Sequence, residues 1–253
     1  MSGSTRRAIG TVVFALMAPV AGGCGSASST SASASARATG TAAKPATSRP
    51  AAPVIPAGSV AVVAGAPITQ ATFNHWMYVA AKSQTSQTPG TPAIVPDPPD
   101  YKNCIARVRK TLPRFKHKAT ETLVADCRER FQTLSSQVMG FLIEADWIQA
   151  DGARQGIVPT DAQVASVYTR TKQQQFPDGK GYQAFLAKTG QTDRDIRVRF
   201  RINLILNRLT AREKGSAAAK ETTVNKREKR LFAGQTRCTT LVLMADCGNY
   251  RTG

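Results

Sequence analysis

The sequence predicts a mainly α-helical protein with a short N-terminal β-hairpin and a helix that returns at the C-terminus. Apolar residues recur at intervals of three and four over much of residues 69–212, the spacing of helices that bury one face. Strand-like character is confined to Val60–Val63, which an Ala-Gly-Ala-Pro turn connects to Ile68. These two observations favour helices packed on one another with a single small hairpin.

The first predicted helix follows the hairpin directly. Thr69 can cap it, and Phe73, Trp76, Met77 and Ala80 lie at positions i, i+3, i+4 and i+7 of its apolar face. Residues 83–117 are expected to form an irregular excursion, because the stretch up to position 100 is rich in Pro, Gln and Thr.

The strongest helical pattern covers residues 118–149, where one apolar stripe predicts a helix roughly 45 Å long. The stripe contains Leu123, Cys127, Phe131, Leu134, Val138, Phe141, Leu142, Ala145 and Ile148. A helix of this length is typical of elongated or cradle-shaped molecules.

Later helices are marked by their ends. Pro159 and Thr160 start one, Gly190 stops a short one, and Thr192 with Asp195 approximates a capping box that opens a helix to about residue 212. Residues 213–223 are expected to be a linker, and 224–235 a last basic helix that leads into a cysteine-bounded loop.

The N-terminus is typical of an exported lipoprotein. Arg6 and Arg7 precede a 13-residue apolar run, which ends in Ala-Gly-Gly before Cys24. The run is too short to cross a bilayer core of about 30 Å as a transmembrane anchor. Residues 1–23 are therefore predicted to be a signal peptide and Cys24 the lipidated mature N-terminus, bound to the bacterial cell membrane on its outer side. Plain secretion stays open, because Ala21 stands where such signals usually carry Leu, and the export route is left open.

Composition divides the rest of the chain into three parts. Residues 24–58 are almost wholly Ser, Ala, Thr, Pro and Gly, which predicts a disordered tether. Residues 59–213 are predicted to be the helical domain, and 214–253 a linker, C-terminal helix and disulfide loop.

The net charge of +18 is concentrated in two segments. Residues 101–130 carry nine basic and three acidic groups, and residues 194–237 carry thirteen and four. Because an exported protein rarely meets nucleic acid, an anionic membrane surface, wall polymer or acidic client segment is the predicted partner.

Four further cysteines fit an oxidising compartment. Closeness in sequence favours pairing Cys104 with Cys127 and Cys238 with Cys247 among the three possible pairings. Their spacings do not suit zinc, His75 and His117 do not complete a zinc site, and no cofactor is predicted.

Two sets of side chains are candidate binding residues. Arginines on the helix after Thr192 fall within a narrow arc and could face anionic partners, although a solvated helix face is the favoured interpretation; they are Arg194, Arg197, Arg201, Arg208 and Arg212. Large apolar side chains could contact unfolded peptides, although a role in the packed core is the favoured interpretation; they are Phe73, Trp76, Met77, Phe131 and Phe141. Glu144, Asp146 and Asp151 are interpreted as solvated helix carboxylates without a catalytic partner.

Two stretches resemble the N-terminal chaperone domain of SurA- and PrsA-type extracytoplasmic foldases. Residues 60–69, with Phe73 beyond them, are similar to its opening of apolar strand, turn, Ile-Thr and helix. Residues 157–164, followed by Phe176-Pro177, Phe185 and the segment 192–196, are similar to its later helices in the same order. The resemblance implies a SurA-N-like helical fold that binds unfolded secreted polypeptides.

Members of that family often carry an inserted parvulin-type prolyl isomerase domain, and such an insert is missing here. Only 13 residues separate Arg212 from Lys226, too few for a domain, and no histidine follows His117. We therefore expect binding without catalysis and no catalytic residues. A peptidyl-prolyl isomerase by family relationship and a structural lipoprotein that binds a wall polymer or membrane partner stay open as alternatives.

Overall fold

The computed structural model describes residues 53–86 and 92–251, and this part of the chain is mainly helical with a small antiparallel sheet. The predicted signal peptide, Cys24 and the tether up to residue 52 lie outside the described residues. None of the described helices is long and apolar enough to cross a membrane.

The sheet contains β1 (Ser59–Val63), β2 (Ala66–Thr69) and β3 (Thr236–Cys238), in the order β2-β1-β3. The hairpin turn is shorter than the predicted four residues, because Val63 already pairs with Ala66. Ala64 and Gly65 form it with φ angles of 49° and 88°, as a two-residue hairpin turn of the I′ type requires. Ala64 therefore occupies a left-handed conformation in which Gly or Asn is more stable.

Seven α-helices are described. They are α1 (Gln70–Ser86), α2 (Lys102–Thr111), α3 (Thr120–Arg154), α4 (Asp161–Gln175), α5 (Lys180–Thr189), α6 (Asp193–Ala211) and α7 (Ala217–Phe232). The mainly helical class with one hairpin is confirmed, and α7 packs back against α3 and α6 as the predicted returning helix.

The helix starts follow the local signals in the sequence. The Thr69 hydroxyl accepts the amide of Thr72 at 3.1 Å at the start of α1. Complete capping boxes open α4 at Thr160 and α6 at Thr192. α7 begins earlier than predicted, because Ser216 caps it by accepting the amide of Ala219.

One prediction about the excursion is wrong: residues 83–117 include α2 and a 3₁₀ turn at Pro113–Phe115. Only Cys104 and Ile105 of α2 are buried, so its apolar stripe is short. The helix is held by tertiary contacts instead. The Asp97 carboxylate accepts the amides of Asn103 and Cys104 at 2.9 and 2.8 Å, and the Cys104–Cys127 disulfide ties α2 to α3.

The core has three parts arranged around α3 and α6. The largest joins β1, α1, α2 and the apolar face of α3, the second lies between α3, α6 and α7, and a small aromatic part lies between α4, α5 and α6. Trp147 on α3 donates a 2.9 Å hydrogen bond to the hydroxyl of Thr236, which connects the long helix to β3. The long helix is thus a central element and not an exposed strut.

A buried group of charges joins α3 to α7. Arg227 bonds Asp151 at 2.8 Å and also Glu213, and Asp151 is 2% exposed. Glu228 is 1% exposed, and its Oε1 atom has no hydrogen-bond partner among the described residues. The pKa of Glu228 is raised to about 8, mainly by burial and to a smaller extent by the charges of Asp151 and Glu144, while Arg227 opposes the shift.

Candidate functional site

A groove of about 490 Å³ opens between β2, α1, α3 and the first turns of α6. About half of its lining residues are apolar and the others are polar, and such a combination of apolar walls and polar groups is typical of a binding site. The apolar lining consists of Pro67, Ile68, Ala71, Trp76, Phe141, Leu142, Ala145 and Val198. The polar lining consists of Thr72, His75, Asp146, Gln149, Thr192, Arg194 and Asp195.

One wall is fixed by a contact between α1 and α6. The Asp195 carboxylate accepts the amide and hydroxyl of Thr192 at 2.7 and 2.8 Å, which completes the cap of α6. The same carboxylate oxygen lies 2.8 Å from Nε2 of His75. Because an ionised carboxylate only accepts hydrogen bonds, Nε2 carries the proton in this contact. The carboxylate that caps α6 therefore also orients the imidazole at the groove.

The back of the groove is a tilted pair of aromatic rings with a cation beside it. The rings of Trp76 and Phe141 lie 4.7 Å apart, and the Arg199 guanidinium lies 5.0 and 5.1 Å from their centres. The Nε atom of Arg199 is buried without a hydrogen-bond partner in the described part of the chain. Burial lowers the pKa of Arg199, and the charge of Asp195 opposes this. The Arg199 guanidinium therefore contacts both aromatic rings of the groove wall.

The groove also contains a carboxyl group in an apolar setting. Asp146 accepts a hydrogen bond from Gln149 at 3.3 Å, and burial raises the pKa of Asp146 to about 7. The group is therefore largely protonated below neutral pH and ionised above it. In its protonated form it can donate a hydrogen bond to a carbonyl group in the groove.

Of the five predicted peptide-binding side chains, two line the groove and the other three are core residues that do not line it. Phe73, Met77 and Phe131 are 2–5% exposed in the main core, so they cannot contact a client in this conformation. Half-buried Phe141 lines the groove, and so does Trp76, although Trp76 is only 6% exposed and belongs mainly to the core. For Phe73, Met77 and Phe131, the helical spacing that suggested a binding role is explained by core packing.

The predicted arginine stripe is used mainly within the molecule. Arg197 lies 4.2 Å from the ring centre of Tyr168 on α4. Arg201 ion-pairs with Asp161 and donates to the carbonyl of Pro159 at 2.8 Å. Arg208 and Arg212 donate to Gln163 and Gln155, while exposed Arg194 lines the groove. These contacts pack α6 against α4 and the end of α3, so they explain the stripe without an anionic partner.

The other sequence predictions concern the cysteines, the carboxylates of α3 and a metal site. The disulfides are Cys104–Cys127 and Cys238–Cys247, the pairing that the spacing predicts. The interpretation of the α3 carboxylates as solvated is wrong for two of them, since Asp151 is buried in an ion pair and Asp146 faces the groove. No group of three or more His, Cys, Asp or Glu side chains in residues 53–86 and 92–251 could hold a metal ion.

Sequence reasoning missed the contact between His75 and Asp195 and the position of Arg199. From the sequence, Asp195 is identified only as a capping residue, and nothing local to His75 signals a partner on another helix.

Comparison with known proteins gives no match: no protein-family model, no curated protein and no solved structure is significantly similar to this chain.

Proposed function

We propose that this protein is a lipid-anchored extracytoplasmic chaperone-like protein, which binds unfolded segments of secreted polypeptides in the groove without catalysing a reaction on them. The groove is the observation that carries the proposal: it has an aromatic wall, an exposed valine and a carboxyl group able to meet a peptide carbonyl. Unfolded chains offer both apolar side chains and unpaired backbone carbonyls, so the two kinds of lining match the two kinds of ligand group.

The sequence motifs support the same proposal. The hairpin followed by a capped helix, and the capped helices α4 and α6, occupy the segments that resemble the chaperone domain of SurA- and PrsA-type foldases. Only five residues separate the end of α6 at Ala211 from the start of α7 at Ala217, so the chain has no room there for an isomerase insert. This arrangement supports the proposal of binding without isomerisation.

The decisive experiment is suppression of aggregation of a reduced, denatured secreted protein, with two matched valine variants. Val198 lies at the groove and is 37% exposed, so Val198→Glu places a charge against the bound segment with little effect on the core. Val158, 66% exposed and outside the groove, provides the control Val158→Glu.

We expect the wild type and Val158→Glu to suppress aggregation equally and Val198→Glu to lose most of the effect. A protease-coupled prolyl isomerisation assay on the same samples should show the spontaneous rate, tens of seconds at 25 °C. Lack of suppression by the wild type, or full activity of Val198→Glu, contradicts the proposal. Acceleration of isomerisation favours the foldase alternative.

The proposed location rests on the N-terminal signal and on the two disulfides, which are typical of an oxidising compartment. Intact-mass measurement of the membrane fraction should find a diacylglyceryl group on Cys24, and Cys24→Ser should release the protein from that fraction. An unmodified N-terminus at another residue would refute lipid attachment.

A further inference from the structure

A dense basic surface lies on α2 and the turn after it, away from the groove. Residues 101–120 contain seven Lys and Arg and no Asp or Glu. Four of the seven are exposed and take part in none of the ion pairs between described residues: Arg107, Lys110, Arg114 and Lys116. We call these four residues the α2 basic face.

The other three basic residues of the segment already have partners. Lys102 ion-pairs with Asp100 at 3.3 Å, Lys118 with Asp126 at 2.8 Å, and Arg109 donates to the Lys118 carbonyl and the Thr120 hydroxyl. Arg197, Arg201 and Arg208 of α6 are similarly engaged with α4. The α2 basic face therefore carries positive charge that no ion pair between described residues neutralises.

The face is held firmly for a surface helix. The Cys104–Cys127 disulfide fixes α2 to the long helix, and Asp97 caps its first turn. Half-buried Phe115 lies beneath the side chains of Arg114 and Lys118, whose charged groups are 4.8 and 5.1 Å from its ring centre. Because the backbone that carries these charges is fixed before binding, less backbone entropy is lost when they meet a partner.

We propose that the α2 basic face docks on a membrane surface rich in anionic lipid head groups. The charges project from an exposed helix and turn, and the grooves described in the structure are lined by other residues. A planar layer of phosphates suits such a surface better than a single polymer strand, which needs a channel to follow. The aromatic ring among the cations is also typical of segments that lie at the head-group level. This proposal does not depend on client binding.

The magnitude follows from the charge of an anionic leaflet. Each Lys or Arg close to such a surface strengthens binding by about 1 kcal/mol, or roughly fivefold, at moderate salt. Removal of four charges should thus weaken vesicle binding at least tenfold even after screening by salt.

The test is co-sedimentation of the full chain carrying Cys24→Ser with vesicles of phosphatidylcholine alone or mixed with phosphatidylglycerol. The neutral vesicles report any contribution of the N-terminal apolar run. The test variant is Arg107→Gln, Lys110→Gln, Arg114→Gln and Lys116→Gln combined. The matched control removes two Arg and two Lys that are exposed on α4, α5 and α7: Arg170→Gln, Lys188→Gln, Lys226→Gln and Arg230→Gln.

We expect salt-sensitive binding to the anionic vesicles only, a loss of at least tenfold in the α2 variant, and a change below threefold in the control. Equal losses in both variants would show that only net charge acts and would overturn the proposal. Equal binding of the wild type to both vesicle types would also overturn it. Soluble polyglycerol phosphate should compete only weakly, and stronger binding to it than to vesicles would reassign the face to a wall polymer.

Discussion

Replacement of Glu228 by Gln should make the protein more stable at neutral and alkaline pH. Glu228 is 1% exposed and its pKa is raised from 4.5 to about 8, mainly by burial and then by Asp151 and Glu144. Between these two pH values the folded state holds a proton that the unfolded state has lost. The free energy of unfolding therefore falls as pH rises, by at most about 1.4 kcal/mol per pH unit.

Over the interval from 4.5 to about 8, this gives an upper bound of about 5 kcal/mol. Because local relaxation and water penetration reduce the cost of a buried charge, we expect about half of it, or roughly 2–3 kcal/mol, above pH 8. Glu228→Gln should differ little from the wild type near pH 5, and its advantage should grow as pH rises.

Urea unfolding followed by circular dichroism at pH 5, 7 and 8.5 measures this advantage. Glu144 and Asp146 also have raised pKa values, so the difference between variant and wild type is needed to isolate Glu228. Glu221→Gln is the control, because Glu221 is exposed on the same helix. A difference that does not change with pH, or an equal gain in Glu221→Gln, would refute the reasoning.

Four further predictions concern the groove, a close contact, the hairpin and the disulfides. Client affinity should fall as pH rises through about 7, where Asp146 ionises, and Asp146→Asn should remove this dependence in binding titrations at pH 6 and 8. Gly152→Ala should lower the free energy of unfolding by about 1–3 kcal/mol in urea, because the added methyl group would clash with Ile205 and lie 3.0 Å from the Ile157 carbonyl. Gly140→Ala on the same helix is the control: its methyl group would meet nothing nearer than 4.0 Å, so the variant should be neutral or more stable. Ala64→Gly should raise the unfolding free energy by about 1 kcal/mol through relief of the left-handed turn, and no gain would mean that the turn is not strained. Replacement of both Cys104 and Cys127 by Ala should lower the free energy of unfolding by about 3 kcal/mol, and replacement of both Cys238 and Cys247 by somewhat less, because the closed loops span 23 and 9 residues. Equal unfolding midpoints of the wild type with and without reductant would contradict this.

The parts of the fold that the sequence predicts are those with local signals. The hairpin has its turn residues, and the helices α1, α4 and α6 have capping residues followed by a periodic apolar face. α2 has neither a capping side chain at its N-cap nor a recognisable apolar face, because only two of its positions are buried. Its stability depends on Asp97 and on the disulfide to α3. Sequence periodicity therefore fails where a helix is stabilised from outside itself.

The candidate site was predictable only in part, for a related reason. Periodicity identifies Trp76 and Phe141 as apolar, but it does not distinguish a groove wall from the core that contains Phe73 and Phe131. The His75 and Asp195 contact joins residues on two helices that are far apart in sequence. The basic segment at residues 101–130 can be recognised from the sequence, but only the structure shows which of its side chains form ion pairs or hydrogen bonds.

The pairing of β1 with β3 sets a condition on when the sheet can form. Ala61 pairs with Cys238, so the second edge of the central strand is covered only after synthesis has reached residues 236–238. Until then β1 exposes one edge of an apolar segment, Val60–Val63, which can pair with another chain. A chain that terminates before residue 236 keeps this edge open permanently. The C-terminal segment is thus a safeguard against self-association, and shortened products should be recognisable by aggregation through their N-terminal strand.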